Sequence, residues 1–232
     1  MKKNYKILIT WRLLVDDILK FKLLFKKNNI HYDIVHNKQF VSENVLKKII
    51  SRYDGLICGD DEITKKVLNK ANNLKVISKW GTGLDSIDLN YAKKKSIKVF
   101  NSPGAFTDNV SDHALALMFS LTRNIVNNHY DIKNGIWSKR LCENLSNKTI
   151  GIIGYGKIGK MIKKKLSGFK VNFLINDINN KKIYYKSKAL IYKKSDIIFL
   201  CVDLNETSKN LIGNKQLLRM KRNALLINIC RG

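Results

Sequence analysis

The residues with the clearest chemical meaning are three glycines and an acid. Residues 149–166 read TIGIIGYGKIGKMIKKKL and place Gly154, Gly156 and Gly159 in a G-x-G-x-x-G pattern, with an apolar β-branched run before it and a helical pattern after it. In that setting each glycine has its own task. Gly154 lets the chain turn sharply out of a strand, Gly156 lets the backbone approach a pyrophosphate, and Gly159 lets the helix lie close on the sheet. The phosphates would then meet free N–H groups and the positive end of a helix starting near Lys157. Asp177 stands at the end of the next apolar run. A carboxylate there accepts hydrogen bonds from the adenosine ribose and repels a 2′-phosphate, so the pattern predicts NAD rather than NADP. The competing reading is a mononucleotide fold with a glycine turn and no dinucleotide.

The other reactive side chains form no constellation. Cys58, Cys142, Cys201 and Cys230 are widely spaced, with no C-x-x-C pair and no histidine cluster, so no metal or disulfide site is predicted. His113 lies in an apolar helical run and reads as a packing or interface residue, while His31, His36 and His129 have no motif around them.

A glycine turn does chemistry only if a strand and a helix hold it, and the chain supplies many of both. Short apolar runs at 6–10, 32–35, 55–59, 75–79 and 98–100 read as strands, and helical-period stretches fall between them at 12–27, 42–51, 64–70 and 89–95. Such alternation implies parallel strands joined by right-handed crossovers, with helices on both faces. Asn101-Ser102-Pro103-Gly104 holds the only proline and marks a boundary between domains at 1–101 and 102–232. A longer apolar helix follows at 108–124, with Ser111 and Asp112 suited to its first turn. From Lys148 the alternation resumes, with strands at 149–153, 171–176, 197–202 and 224–229 and helices at 157–167 and around 216–220. The predicted class is α/β, with two doubly wound parallel-sheet domains.

Composition narrows the classes further. The 232 residues are 44% hydrophobic and 27% charged, ordinary for a globular protein, and no apolar run is long enough to span a membrane. The basic, then apolar start ends at Trp11-Arg12 without a small-residue cleavage site, so it reads as a first strand of a cytoplasmic protein. The net charge of +26 invites a polyanion partner, yet only seven of the 44 basic residues are arginine and the lysines are spread evenly. That pattern favours a solvated lysine-rich surface over a nucleic-acid interface; the triples 93–95 and 163–165 sit where helices would face solvent.

Four segments in order resemble the D-isomer-specific 2-hydroxy acid dehydrogenases, among them phosphoglycerate dehydrogenase. They are Lys79-Trp80-Gly81-Thr82-Gly83-Leu84-Asp85-Ser86-Ile87-Asp88-Leu89 with Asn101-Ser102-Pro103-Gly104, the helix Val110-Ser111-Asp112-His113-Ala114-Leu115-Ala116-Leu117-Met118, the glycine fingerprint, and Ser195-Asp196-Ile197-Ile198 through Met220-Lys221 to Ile227-Asn228-Ile229-Cys230-Arg231-Gly232. The resemblance implies a flavodoxin-like substrate domain followed by an NAD-binding Rossmann domain, incomplete at its C-terminal end. It implies an oxidoreductase moving hydride between NAD and a small anionic 2-hydroxy or 2-keto acid, with 3-phosphoglycerate the first candidate. Arg231 matches the family's catalytic arginine, whose guanidinium fork can meet the carboxylate and keto oxygens together. Gly81, Thr82 and Gly83 match a backbone cradle for the same carboxylate, and Thr82 also matches a position near the nicotinamide. Lys157 and Ile158 match residues over the pyrophosphate, and Val202, Ile229 and Cys230 match backbone positions along the cofactor. A homodimer through the helix at 107–124 is the family expectation.

The sequence also departs from the family. The general acid–base pair, a histidine with a glutamate, follows the arginine in the family, whereas this sequence ends at Gly232 and its four histidines all precede the glycine loop. The expectation is therefore a fragment of a longer enzyme, with an exposed sheet edge. The alternatives are a catalytically silent NAD-binding protein and a corepressor-like regulator. The stretch from Asp177 to Ser195 is shorter than usual, so the adenine-side helix is expected to be missing or reduced, and Cys201 and Asp203 replace a frequent His and Pro.

Overall fold

The computed structural model describes residues 4–37, 39–179 and 185–231. The chain forms two compact units, Met1–Ala105 and Phe106–Gly232. Each is a twisted parallel sheet with helices on both faces, as the strand–helix alternation predicts.

In the first unit, β1 (Tyr5–Ile9), β2 (Ile30–Ile34), β3 (Gly55–Cys58), β4 (Val76–Lys79) and β5 (Lys98–Phe100) pair in the order β2-β1-β3-β4-β5. This is the flavodoxin-like order, with its reversal between β1 and β3. Successive side chains of a strand serve opposite faces. Ile7 and Ile9 pack with Leu14 and Phe25, from α1 (Arg12–Asp16) and α2 (Ile18–Lys27). Leu8, Leu56 and Ile77 pack with Leu46, Leu68 and Ala92, from α3 (Glu43–Ile49), α4 (Lys65–Lys70) and α5 (Leu89–Lys94). Caps fix two of these starts: Thr64 Oγ1 accepts the Val67 N–H at 3.5 Å and Asp88 Oδ1 accepts the Tyr91 N–H at 2.9 Å. The single helix expected over 12–27 is two helices, because the chain breaks at Asp17 (φ −102°, ψ 9°).

The loops at the C-terminal edge of this sheet are joined by a buried carboxylate. Asp61 is fully buried and accepts the Thr10 hydroxyl (2.5 Å), the Val41 N–H (2.5 Å) and the Gly59 N–H (3.1 Å). One side chain thus ties together the segments that follow β1, β2 and β3.

In the second unit, β6 (Thr149–Ile153), β7 (Asn172–Asn176), β8 (Ile197–Leu200) and β9 (Leu225–Asn228) pair in parallel in the order β7-β6-β8-β9. Tyr185 adds a single parallel bridge to Ile175, outside β7. One face packs Ile150, Ile152 and Phe199 against Ala114 and Met118 of α6 (Thr107–Thr122) and Ile162 and Leu166 of α8 (Lys157–Leu166). The other packs Ile153, Ile198 and Leu200 against Ile191 of α9 (Lys188–Lys194), a seven-residue helix in the shortened stretch after Asp177. α7 (Ile125–Lys133) and α10 (Asn214–Leu217) complete the unit.

Three local readings need correction. α6 starts at Thr107, so Ser111 lies within the helix, where its hydroxyl donates to the Asp108 carbonyl at 2.8 Å. Lys165 is not a plain solvated lysine: its Nζ meets Asp112 Oδ1 and Ser111 Oγ, each at 2.7 Å, and so ties α8 to α6. His113 is exposed on α6, which removes the packing half of its reading and leaves the interface half. Among the described residues, six non-glycine residues adopt positive φ, namely Asn29, Ser96, Asn124, Asn147, Lys170 and Asn210. Asparagine tolerates this region because its short amide can bond locally.

Replacing Asp61 by Ala should leave the Val41 and Gly59 N–H groups buried without an acceptor, each costing about 1–3 kcal/mol, while the Thr10 hydroxyl keeps the Ile57 carbonyl at 3.2 Å. We expect the Asp61→Ala chain to unfold at distinctly lower urea concentration than the unaltered chain; an unchanged midpoint would remove Asp61 from its bracing role.

Candidate functional site

The glycine turn sits where the strand order of the second sheet reverses, between β6 and β8, the place where open α/β sheets bind ligands. Gly154 follows β6 with φ +92°, a conformation costly for any residue with a Cβ, and a side chain there would lie 2.5 Å from the Cys201 carbonyl oxygen. Gly156 is the N-cap of α8, and nothing lies within 4 Å of where its Cβ would be. That space is open at the end of a ten-residue helix whose first N–H groups have no intrahelical acceptor. Gly159 is buried, and a Cβ there would overlap the Gly154 carbonyl oxygen. The three glycines thus have three distinct physical requirements, the ones a bound pyrophosphate makes.

Asp177 follows β7 directly. Its Oδ2 accepts the Tyr155 N–H at 2.6 Å and its Oδ1 the Asn179 N–H at 3.0 Å. The carboxylate is therefore locked to the glycine loop before any ligand arrives, with lone pairs left over for ribose hydroxyls. Gly154, Gly156, Asp177 and Val202 line a cleft of about 230 Å³. A second cleft of about 420 Å³ is lined by Val202, Cys230 and Arg231, and Val202, Asp203, Ser208 and Leu211 belong to both walls. The two form one trough along the C-terminal ends of the strands. The size and open helix end fit a dinucleotide.

Other predicted positions do not line the trough. Ile158 and Ile229 are half-buried against the core, so their backbone would serve a ligand and their side chains the fold. Lys157 is exposed on the first turn of α8. Gly81, Thr82 and Gly83 belong to the first unit, in the loop after β4. There the carbonyls of Gly81 and Thr82 are taken, by the Ser102 N–H (2.9 Å) and by Asn101 Nδ2 (2.7 Å). Among the described residues the N–H groups of Gly81, Thr82 and Gly83 donate to nothing in the protein. Gly81, at φ +145°, gives the turn its sense.

Sequence reasoning missed two parts of the site. Asn228 brackets the arginine turn: its Oδ1 accepts the Cys230 N–H at 3.0 Å and its Nδ2 donates to the Arg231 carbonyl at 3.3 Å. The N-x-x-R spacing was the available signal. The loop after β8 is knotted by Asn205, whose Oδ1 accepts from Thr207 N (2.9 Å) and Ser208 N (3.2 Å), and it forms the wall shared by both clefts. The two cysteines of the trough are held as thiols. Burial pushes Cys201 up to about 12, and burial also raises Cys230, whose Sγ accepts the Val202 N–H at 3.1 Å. Neither is a nucleophile at neutral pH. Among the described residues there is no cluster of His, Cys, Asp and Glu able to hold a metal, and no helix long and apolar enough to cross a membrane.

Comparison with known proteins agrees with this geometry. Residues 115–232 match the family described as D-isomer specific 2-hydroxyacid dehydrogenase, NAD binding domain. A hydroxypyruvate reductase of Thermotoga maritima is 31% identical over 91% of this chain and 70% of its own length. A glyoxylate reductase of Thermococcus litoralis is 34% identical over 81% of this chain and 62% of its own length. The chain thus spans less than two thirds of the second relative. Among solved structures, the NAD-dependent formate dehydrogenase from Staphylococcus aureus in complex with NAD superposes with a TM-score of 0.88 at 26% identity, covering 98% of this chain and 74% of that one.

The glycines separate function from folding. Gly156→Ala should fold as stably as the parent, because its Cβ meets only open space, yet weaken NADH binding by about tenfold or more by filling the phosphate's place. Gly159→Ala should instead cost about 1–3 kcal/mol of stability through overpacking. Melting curves and NADH fluorescence titrations on both variants test this; a Gly156→Ala protein with parental NADH affinity would sink the phosphate assignment.

Proposed function

This chain belongs to the D-isomer specific 2-hydroxyacid dehydrogenase family, and from that premise we propose that it binds NAD along the β6–β9 trough and serves hydride transfer to or from a small 2-hydroxy or 2-keto acid. The observation that carries the reading is the open, N–H-lined end of α8 at Gly156, facing a trough that ends at Arg231. When bound, NAD supplies or accepts the hydride at the carbon bearing the substrate oxygen.

The protein's own part is binding, orientation and charge. Gly156 and the first turn of α8 receive the pyrophosphate through N–H groups and the helix dipole. Asp177 accepts from the adenosine ribose while its bonds to Tyr155 and Asn179 hold it in place, and its charge disfavours a 2′-phosphate. Arg231 receives the substrate carboxylate and draws electron density from the reacting carbonyl, held by the Asn228 brace. In the first unit, the N–H groups of Gly81, Thr82 and Gly83, without an acceptor among the described residues, are assigned to carboxylate binding. Reduction of a ketone also consumes a proton, and a positioned acid contributes about 10²–10⁴-fold to that step. This reading assigns that role to none of His31, His36, His113 or His129.

For substrate we take 3-phosphoglycerate first, with hydroxypyruvate and glyoxylate beside it, on the resemblance and on the names of the relatives. We place the protein in the cytoplasm as a homodimer through α6. The support for the dimer is an apolar stripe on that helix, where Leu117 is 37% and Leu121 51% exposed at i, i+4 spacing, continued by Ile125 and Val126.

Titration of the chain with NADH and NADPH should show saturable binding that prefers NADH. Arg231→Ala should keep that binding and lose the response to added hydroxypyruvate, glyoxylate or 3-phosphoglycerate. Absence of NADH binding by the unaltered chain would overturn the proposal. Light scattering should give a dimer that Leu121→Asp converts to a monomer; a parent that is already monomeric refutes the α6 interface.

A further inference from the structure

The Gly81–Gly83 loop is underpinned by a charged side chain that the scheme above does not use. Lys79, the last residue of β4, is only 3% exposed. A buried ammonium is costly unless paired and hydrogen-bonded. Lys79 Nζ donates to the Gly59 carbonyl and, at 2.6 Å, to Asp60 Oδ1. Its stem runs beneath the loop, since a Cβ on Gly81 would lie 3.7 Å from Lys79 Cε. The next residue, Trp80, donates its N–H to the Cys58 carbonyl at 2.8 Å.

The partner side is equally fixed. The Gly59 peptide is held at both ends, its carbonyl by Lys79 and its N–H by the buried Asp61. The indole of Trp11 fills the space a Cβ at Gly59 would need. Lys79 therefore connects the Gly81–Gly83 loop to the segment already tied to Thr10 and Val41. A loop that must aim three N–H groups at one anion needs a rigid base, because small misplacements forfeit much of the interaction.

We propose that Lys79 is the positioning residue for the substrate carboxylate: by clamping the Gly59 carbonyl and Asp60 it fixes the Gly81–Gly83 amides in a binding geometry. The inference rests on the reading of that loop as a carboxylate cradle. The residue touches no substrate in this account; it acts through the backbone it holds.

The test is isothermal titration of the 232-residue chain with oxalate at saturating NADH, alongside NADH alone. Lys79→Met should bind oxalate about tenfold more weakly while NADH affinity stays at the parental value, and Lys79→Arg should recover most of the loss because a guanidinium can span the same acceptors. NADH reports on the second unit, so a residue that merely stabilised the first unit is recognised instead by oxalate affinity that follows the thermal midpoint across Lys79→Met, Lys79→Arg and Asp60→Asn. Asp60→Asn, at a side chain 67% exposed, removes the charge but keeps an amide oxygen that can accept from Lys79; it should weaken oxalate severalfold, and it decides the matter if Lys79→Met does not fold. Oxalate binding of parental strength in Lys79→Met, or in Asp60→Asn where the former is unfolded, overturns the inference alone. A parent that binds NADH but no oxalate overturns the carboxylate reading and this inference together.

Discussion

The second unit depends on the close crossing of β6 and α8. There is no room for a side chain at Gly159 because the Gly154 carbonyl already occupies it, and no room at Gly154 because the end of β8 does. This double contact brings the helix start against the strand ends, which is what leaves the α8 N–H groups facing outward at Gly156. Moving the helix away by the width of a methyl group would carry those amides and the Asp177–Tyr155 bond with it. The trough, its charge and its fit to a dinucleotide are thus set by packing in the core, not by the residues that line the surface.

The first unit meets a different constraint. A five-stranded parallel sheet ends in loops whose peptide groups have no strand partners, and this one binds them with buried charges: Asp61 collects hydrogen bonds from three loops and Lys79 closes the fourth. Such groups add little net stability over an apolar core, and their value lies in fixing one arrangement among several of similar energy. A loop held this way can present unpaired amides without collapsing onto itself. Both units therefore carry backbone N–H groups without an acceptor among the described residues, one set at a helix end and one in a braced turn.

Much of this was legible in the sequence because it follows periodicity and glycine spacing. Parallel strands read as β-branched runs, and the G-x-G-x-x-G string fell on the turn after β6. What could not be read was decided by long-range partners. The break at Asp17 leaves the helical pattern unbroken in letters, and α7 begins after Asn124 in a left-handed conformation that a polar run does not announce. Lys79 and Asp61 look like surface charges until the fold places them 20 and 51 residues away from the groups they hold. Lys165 in the basic triple pairs with acids 53 and 57 residues earlier, which no local rule anticipates. The readings that survived are those in which a residue's neighbours in sequence are also its neighbours in space.

The left-handed residues carry a consequence for how this protein tolerates change. Four of the six are asparagine, at Asn29, Asn124, Asn147 and Asn210, in a chain rich in that residue. Each occupies a place where glycine would be conformationally easier but would also free the unfolded chain, so the two residues come close to equivalent there. The turns of the fold are in this sense written in a degenerate alphabet. Sequence drift can exchange one letter for the other without moving a strand, and compositional pressure toward asparagine can act on the chain while its architecture stays still.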